Sequence, residues 1–86
     1  MVNILHIVAS GDTGLAFATA LRQKTEHNVS FLLLHEGVRA TPPAGFPVFA
    51  ARDDCEARNV RPGGAKLLAW GEIVDLLVAS ERVLKW

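Results

Sequence analysis

Apolar positions along this chain fall alternately into short continuous runs and into stripes of helical spacing. Around the stretch Asn28–Val38, five apolar residues lie between Val29 and Leu34, broken only by Ser30, and the run stops at His35, Glu36 and Gly37. A short apolar run closed by turn residues predicts a strand buried on both faces. Val2–Val8 is apolar and rich in β-branched residues, which predicts a first strand. Between the two, Gly14, Phe17, Ala18 and Leu21 recur at helical spacing, so a helix is expected from Gly14 to about Lys24. Asp12 or Thr13 would cap it, and Arg22 and Lys24 suit the negative end of its dipole. Strand, helix and strand joined by short loops make a βαβ unit with parallel strands and a right-handed crossover.

Beyond Gly37 the pattern changes. Pro42, Pro43 and Pro47 exclude a regular helix from Arg39 to Pro47, leaving a loop with at most one helical turn after Gly37. Pro47–Ala51 predicts a third strand. Asp53 or Asp54 is then expected to cap a brief helix over 54–58, with Asn59 in a left-handed closing position. Arg61-Pro62-Gly63-Gly64 reads as a loop and Ala65–Ala69 as a fourth strand. Trp70, Ile73, Val74 and Leu77 repeat the helical stripe and predict a last helix from about Gly71 to Ala79. Arg82–Trp86 alternates in the manner of a terminal strand at a sheet edge or interface. Together these elements predict one domain, a three-layer α/β/α sandwich with a mostly parallel sheet of about five strands.

Composition narrows the functional classes. The 86 residues carry nine Lys and Arg against nine Asp and Glu, dispersed along the chain. No basic stripe points to direct nucleic-acid binding. No apolar run approaches the roughly 18 residues of a membrane span, and no secretory signal precedes the first strand, so the cytoplasm is the expected compartment. A chain of this length buries roughly 60–68% of its unfolded surface, a modest core that an oligomeric interface would supplement.

The candidate chemistry is sparse. Cys55 is the only thiol. It falls in the first turn of the predicted 54–58 helix, where the dipole favours a thiolate, but Asp53, Asp54 and Glu56 beside it oppose one. A buried structural cysteine, a persulfide carrier and an incidental surface thiol all fit. Ser10-Gly11-Asp12-Thr13-Gly14 is a small polar loop leading into a helix, without the spacing of a nucleotide-binding glycine loop. Any ligand cleft should lie here, beyond the carboxyl ends of parallel strands, with Ser10, Gly11, His35, Glu36 and Gly37 as its candidate lining. Ordinary turn and cap chemistry accounts equally for Ser10, Gly11, Glu36 and Gly37, and a hydrogen-bonded strand-end role for His35. His6, His27 and His35 lack metal-ligand spacing, and nothing in the sequence asks for a cofactor. Trp70 and Trp86, the largest apolar side chains, are candidates for core packing or for an interface.

The order of elements and several strings resemble the DsrH/TusB-type branch of the DsrE/DsrF/DsrH-like sulfur-relay superfamily. Leu32-Leu33-Leu34-His35-Glu36-Gly37-Val38 is similar to that family's "LLLxDGV". The segment from Val48 to Val60 is similar to "VYALxEDLxARGL", and Glu72–Val78 leads into a final strand closed by Trp86. The resemblance spans nearly the whole chain. It implies a small parallel-sheet subunit, assembled with DsrE/TusD-like and DsrF/TusC-like partners or with itself, in a cytoplasmic complex that passes persulfide sulfur between proteins. Such relays serve tRNA 2-thiouridine synthesis in some bacteria and sulfur oxidation in others. The persulfide cysteine of DsrE/TusD-type subunits corresponds here to Ala51, and the first-helix cysteine of some DsrH proteins falls within Ala18-Thr19-Ala20-Leu21. Neither position holds a thiol. The position of Cys55 is a leucine in the family string, which implies an inward-facing side chain. The resemblance therefore implies a docking subunit rather than an enzyme, with Cys55 as carrier the alternative, and a stand-alone homo-oligomeric anion-binding module a third.

Overall fold

A computed structural model of the protein describes residues 1–11 and 13–86. Its elements in order are β1 (Asn3–Val8), α1 (Gly14–Gln23), β2 (Asn28–Leu33), a 3₁₀ turn (His35–Arg39), β3 (Val48–Ala51), α2 (Arg52–Arg58), β4 (Lys66–Leu68), α3 (Trp70–Ala79) and β5 (Arg82–Lys85). The strands form one sheet in the order β4-β3-β2-β1-β5, and every neighbouring pair is parallel. Three connections step the same way across the sheet, from β1 to β2 to β3 to β4. The fourth, α3, returns across it to β5. Crossovers of one hand that travel in opposite directions lie on opposite faces. The side chains agree: Ala16, Ala20 and Cys55 of α1 and α2 pack with Ile4, Val8, Phe31 and Ala50, while Ile73 of α3 packs with Leu5, Leu32, Ala51 and Leu68. The α/β/α sandwich expected from the sequence is the fold of the chain.

The inward faces of two helices differ from the expected stripes. On α1, Gly14, Ala18 and Leu21 are exposed, and Ala16, Phe17 and Ala20 face the sheet. Two alanines let the helix axis approach the strands closely, which Leu21 in the same place would prevent. On α3, Ile73, Leu76 and Leu77 face inward, whereas Trp70 and Val74 are half exposed, at 52% and 54%. The helix start points also differ. No side-chain cap is made by Thr13, and Asp12 lies outside the described residues. The short helix begins at Arg52 behind Ala51, so Asp53 and Asp54 sit inside its first turn instead of capping it. Asn59 does close it in the left-handed region, at φ 52°. The helical turn after β2 begins at His35, two residues before Gly37.

The α1/α2 face is centred on Phe31, which meets Phe17 and Phe46 edge-on at ring-centroid distances of 5.3 and 5.1 Å. Beside it is His6, a fully buried polar side chain in β1. The Trp86 indole Nε1–H donates to His6 Nδ1 at 2.8 Å, so that nitrogen carries no proton. The proton is therefore on Nε2, which donates to Gln23 Oε1 at 2.7 Å. This neutral tautomer joins β1, α1 and the residue after β5. Two main-chain bonds, Trp86 N–H to Ile7 O and Ala9 N–H to Trp86 O, extend the β1–β5 ladder past Lys85.

Candidate functional site

Parallel α/β sheets bind ligands beyond the carboxyl ends of their strands, so these ends are where the candidate residues must be placed. The carboxyl end of β2 is fixed to that of β1 by Leu34 N–H donating to Val8 O at 2.9 Å. Gly37 then packs directly on Val8. A Cβ added to Gly37 would sit 1.8 Å from the Val8 carbonyl oxygen, so no other residue fits without moving β1 or the turn. This close approach seats the His35–Arg39 turn on the end of the strand that continues into Ala9, Ser10 and Gly11. Ser10 and Gly11 are exposed there.

The turn is also stitched to α2. His35 is held at φ +50°, a backbone region that costs a non-glycine residue about 1–3 kcal/mol. Its N–H donates to Asp54 Oδ2 at 2.9 Å, and its Nδ1 lies 3.7 Å from Asp54 Oδ1. Asp54 Oδ1 is in turn 3.6 Å from Arg58 Nη1. The Arg58 Nε–H donates to Glu36 at 2.9 Å, and the Arg39 Nε–H donates to the other Glu36 oxygen at 3.1 Å. The Arg58 hydrogen bond, more than any other contact, holds the Glu36 carboxyl below the usual carboxylate range. Glu36 and His35 are exposed and Asp54 and Arg58 are half-buried, so this is a surface chain of alternating charge that locks the turn onto α2. The His35 ring itself makes no hydrogen bond to Asp54, so it is the backbone N–H, not the imidazole, that the carboxylate fixes.

No thiol joins this cluster. Cys55, next to Asp54, is only 2% exposed and faces the core beneath α2 with Val38 and Ala50. Burial pushes its thiol pKa up, and the neighbouring Asp54 and Glu56 carboxylates push it further. A raised pKa makes a poor nucleophile at neutral pH. Trp86 is half-buried over His6, and Trp70 opens α3 on the opposite face. The candidate residues thus fall into four places. Ser10, Gly11, His35, Glu36 and Gly37 gather at the carboxyl ends of β1 and β2, Cys55 faces the core, Trp86 closes the β1–β5 edge, and Trp70 lies on α3. Among the described residues, no three His, Cys, Asp or Glu side chains are grouped to hold a metal ion.

Sequence reasoning missed the Asp54–Arg58 part of the cluster. The i, i+4 spacing of these residues on a helix was a local signal for their pairing. The contact of Asp54 with His35 had none, since 19 positions separate them.

A second feature is an apolar stripe. Trp70, Val74 and Val78 recur every fourth residue along α3 and are 52%, 54% and 81% exposed. The opposite shoulder of α3, with Leu76, Ala79 and Ser80, lines a hollow above Ser30, Pro47 and Phe49 near the amino ends of β2 and β3. The stripe therefore occupies the free shoulder. On the same face, Val83 of β5 stands beside Leu5 in register and is 43% exposed. None of the helices among the described residues is long and apolar enough to cross a membrane.

The chain is similar along its whole length to the crystal structure of the ychN protein from E. coli, with a TM-score of 0.74, 18% sequence identity and 100% of each chain covered. At that identity the likeness shows a shared fold. No protein-family model and no curated protein sequence matches the chain.

Proposed function

We propose that this protein is an accessory subunit of a cytoplasmic sulfur-relay complex, acting by docking to DsrE-like and DsrF-like partners while a partner's cysteine carries the persulfide. The shared fold and the resemblance of the Leu32–Val38 and Val48–Val60 strings support the superfamily. The observation that carries the docking role is the Trp70–Val74–Val78 stripe, since exposed aromatic and aliphatic side chains in a row mark interaction surfaces. The inward-facing, raised-pKa thiol of Cys55 argues against sulfur passing through this chain. The His35–Asp54–Arg58–Glu36 chain then serves to hold the His35–Arg39 turn in a fixed shape at the carboxyl end of the sheet.

The test is reconstitution. The chain is mixed with DsrE-like and DsrF-like proteins encoded in the same genome, and mass is measured by size-exclusion chromatography with light scattering. A mixed complex is expected that Trp70→Ser with Val74→Ser disrupts and Cys55→Ala leaves intact. Labelled persulfide sulfur should be found on a partner cysteine. A chain that ignores these partners overturns the docking reading. Label recovered on Cys55 would make this chain the carrier.

A further inference from the structure

We propose that the cavity between the Arg39–Phe46 loop and the Val60–Gly64 loop is a binding site for a small organic anion with an apolar, ring-sized body. It lies on the α1/α2 face, adjoining the carboxyl-end cluster through Arg39 and on the other side of the sheet from the α3 stripe, and it owes nothing to the sulfur-relay reading. Its volume is about 470 Å³, within the range of roughly 300–1,000 Å³ typical of small-ligand sites. Buried Val38 and half-buried Phe46, Val48 and Val60 supply the apolar part of a mixed lining, whose polar part comes from Arg39, Thr41, Arg61 and the loop backbone.

Prolines restrict part of the walls before any ligand arrives. Pro42, Pro43 and Pro62 fix their own φ angles. Gly45 and Gly64 stand at φ +93° and +74°. At Gly64 a Cβ would meet nothing within 4 Å, so the glycine answers to backbone conformation rather than to space. The prolines lower the ordering cost of binding on their side of the cavity.

Charge decides the ligand class. The charged side chains that line the cavity are Arg39 and Arg61, with no carboxylate among the lining residues, in a chain whose cations and anions balance. Arg39 spends its Nε on Glu36. Arg61 forms no ion pair among the described residues, unlike Arg39 and Arg58. The adjoining hollow that shares Val60 and Arg61 includes Glu56, so the anion belongs on the Arg39 side of Arg61. A guanidinium offers a planar pair of donors that fits a carboxylate or a phosphate monoester equally well. The site therefore takes an aromatic or branched aliphatic body on Phe46 and Val48, with its anionic group at Arg61.

Phenyl phosphate is the probe, with inorganic phosphate and benzyl alcohol supplying its two halves separately. In amide chemical-shift titrations of the full chain, phenyl phosphate should move Gly45, Gly63 and Gly64 saturably. Each half alone should bind at least about tenfold more weakly. Arg61→Gln, at an exposed position, should weaken phenyl phosphate by about tenfold with an unchanged Tm, and Arg61→Lys should recover only part of the loss. The proposal falls if these amides do not move saturably, if inorganic phosphate does as well as the probe, or if Arg61→Gln changes nothing. Shifts centred on Gly11 instead would overturn it in favour of the Ser10–Gly14 loop.

Discussion

The two faces of the sheet draw on the same apolar residue types and end in different conditions. One is covered by α1, α2 and the 39–47 loop and is closed by three phenylalanines, a buried histidine and a tryptophan. The other carries α3 alone, with a five-residue buried cluster and an apolar stripe left in solvent. Chirality makes this difference before any side chain is chosen. Three crossovers of one hand stepping in one direction fill one face, and a single return crossover cannot cover five strands on the other. The completed face carries the larger buried cluster, and the incomplete face leaves apolar surface in solvent. That asymmetry implies that substitutions on the first face will register as lost folding stability, and substitutions on the second as lost association.

The largest expected effect is at Phe31, the fully buried centre of the closed face. Phe31→Ala should lower the unfolding free energy by about 3–5 kcal/mol, read from the urea midpoint at an unchanged slope. Leu76→Ala, at a half-buried position under α3, should cost about half of that or less. Equal losses would break the contrast between the faces.

Next comes the polar element within the closed face. Trp86→Phe keeps an aromatic ring but removes the donor to His6 Nδ1, leaving a buried acceptor without a partner. A loss of about 1–3 kcal/mol is expected from that desolvation. The pair Trp86→Phe with His6→Leu should recover part of it, because the orphaned nitrogen is then gone, although Gln23 loses its partner. A double-mutant cycle in urea measures the coupling, and strictly additive losses would mean that the indole–imidazole bond contributes nothing of its own.

How much of this was legible in the sequence depends on the range of the interaction. The strands, the helices and the left-handed Asn59 were readable, because apolar runs, stripes and turn residues act over a few positions. The face of α1 was not, because hydrophobicity ranks Leu21 above Ala20, whereas close approach to a sheet favours the smaller side chain. The role of Gly37 depends on Val8, 29 positions away, and that of His6 on Trp86, 80 positions away. In the candidate site, Gly37 was readable as a turn residue and His35 as the end of the central strand, although His35 in fact opens the turn. Their fixing by Val8 and Asp54 became visible only once β1, β2 and α2 were in place. The α3 stripe was visible as periodicity, but Val74 was grouped with Ile73 and Leu77 and Trp70 stayed open between core and interface, since periodicity does not tell which shoulder is covered.

Cys55 sharpens the contrast through pH. Its thiol is raised in the folded state by burial and then by Asp54 and Glu56. The folded chain therefore holds this proton more tightly than the unfolded chain. The resulting stability is fully present below the unfolded thiol value, about 8.5, and is lost as pH rises from there through the folded value. Between pH 8 and 10 the wild type should lose stability relative to Cys55→Ala, by at most about 1.4 kcal/mol per pH unit. Thiol-reagent kinetics should show protection in the native protein across the same range. A parallel pH profile in the variant, or native reactivity above that of the unfolded chain, would move Cys55 out of the closed core.

The smallest effect on folding is expected at Val78, which is 81% exposed at the end of the α3 stripe. Val78→Ser removes apolar surface that the monomer does not bury, so its urea midpoint should stay within about 0.5 kcal/mol of wild type. Association should respond instead. If the stripe is a docking face, Val78→Ser should shift the complex with partner subunits, or a self-associated form, toward the monomer in sedimentation velocity. Leu15→Ser provides the control, because Leu15 is 65% exposed on α1, on the closed face, outside the stripe. The same shift from both variants would mean that exposed apolar surface anywhere on the chain drives association. A shift from Val78→Ser alone would tie association to the face that a single crossover leaves incomplete.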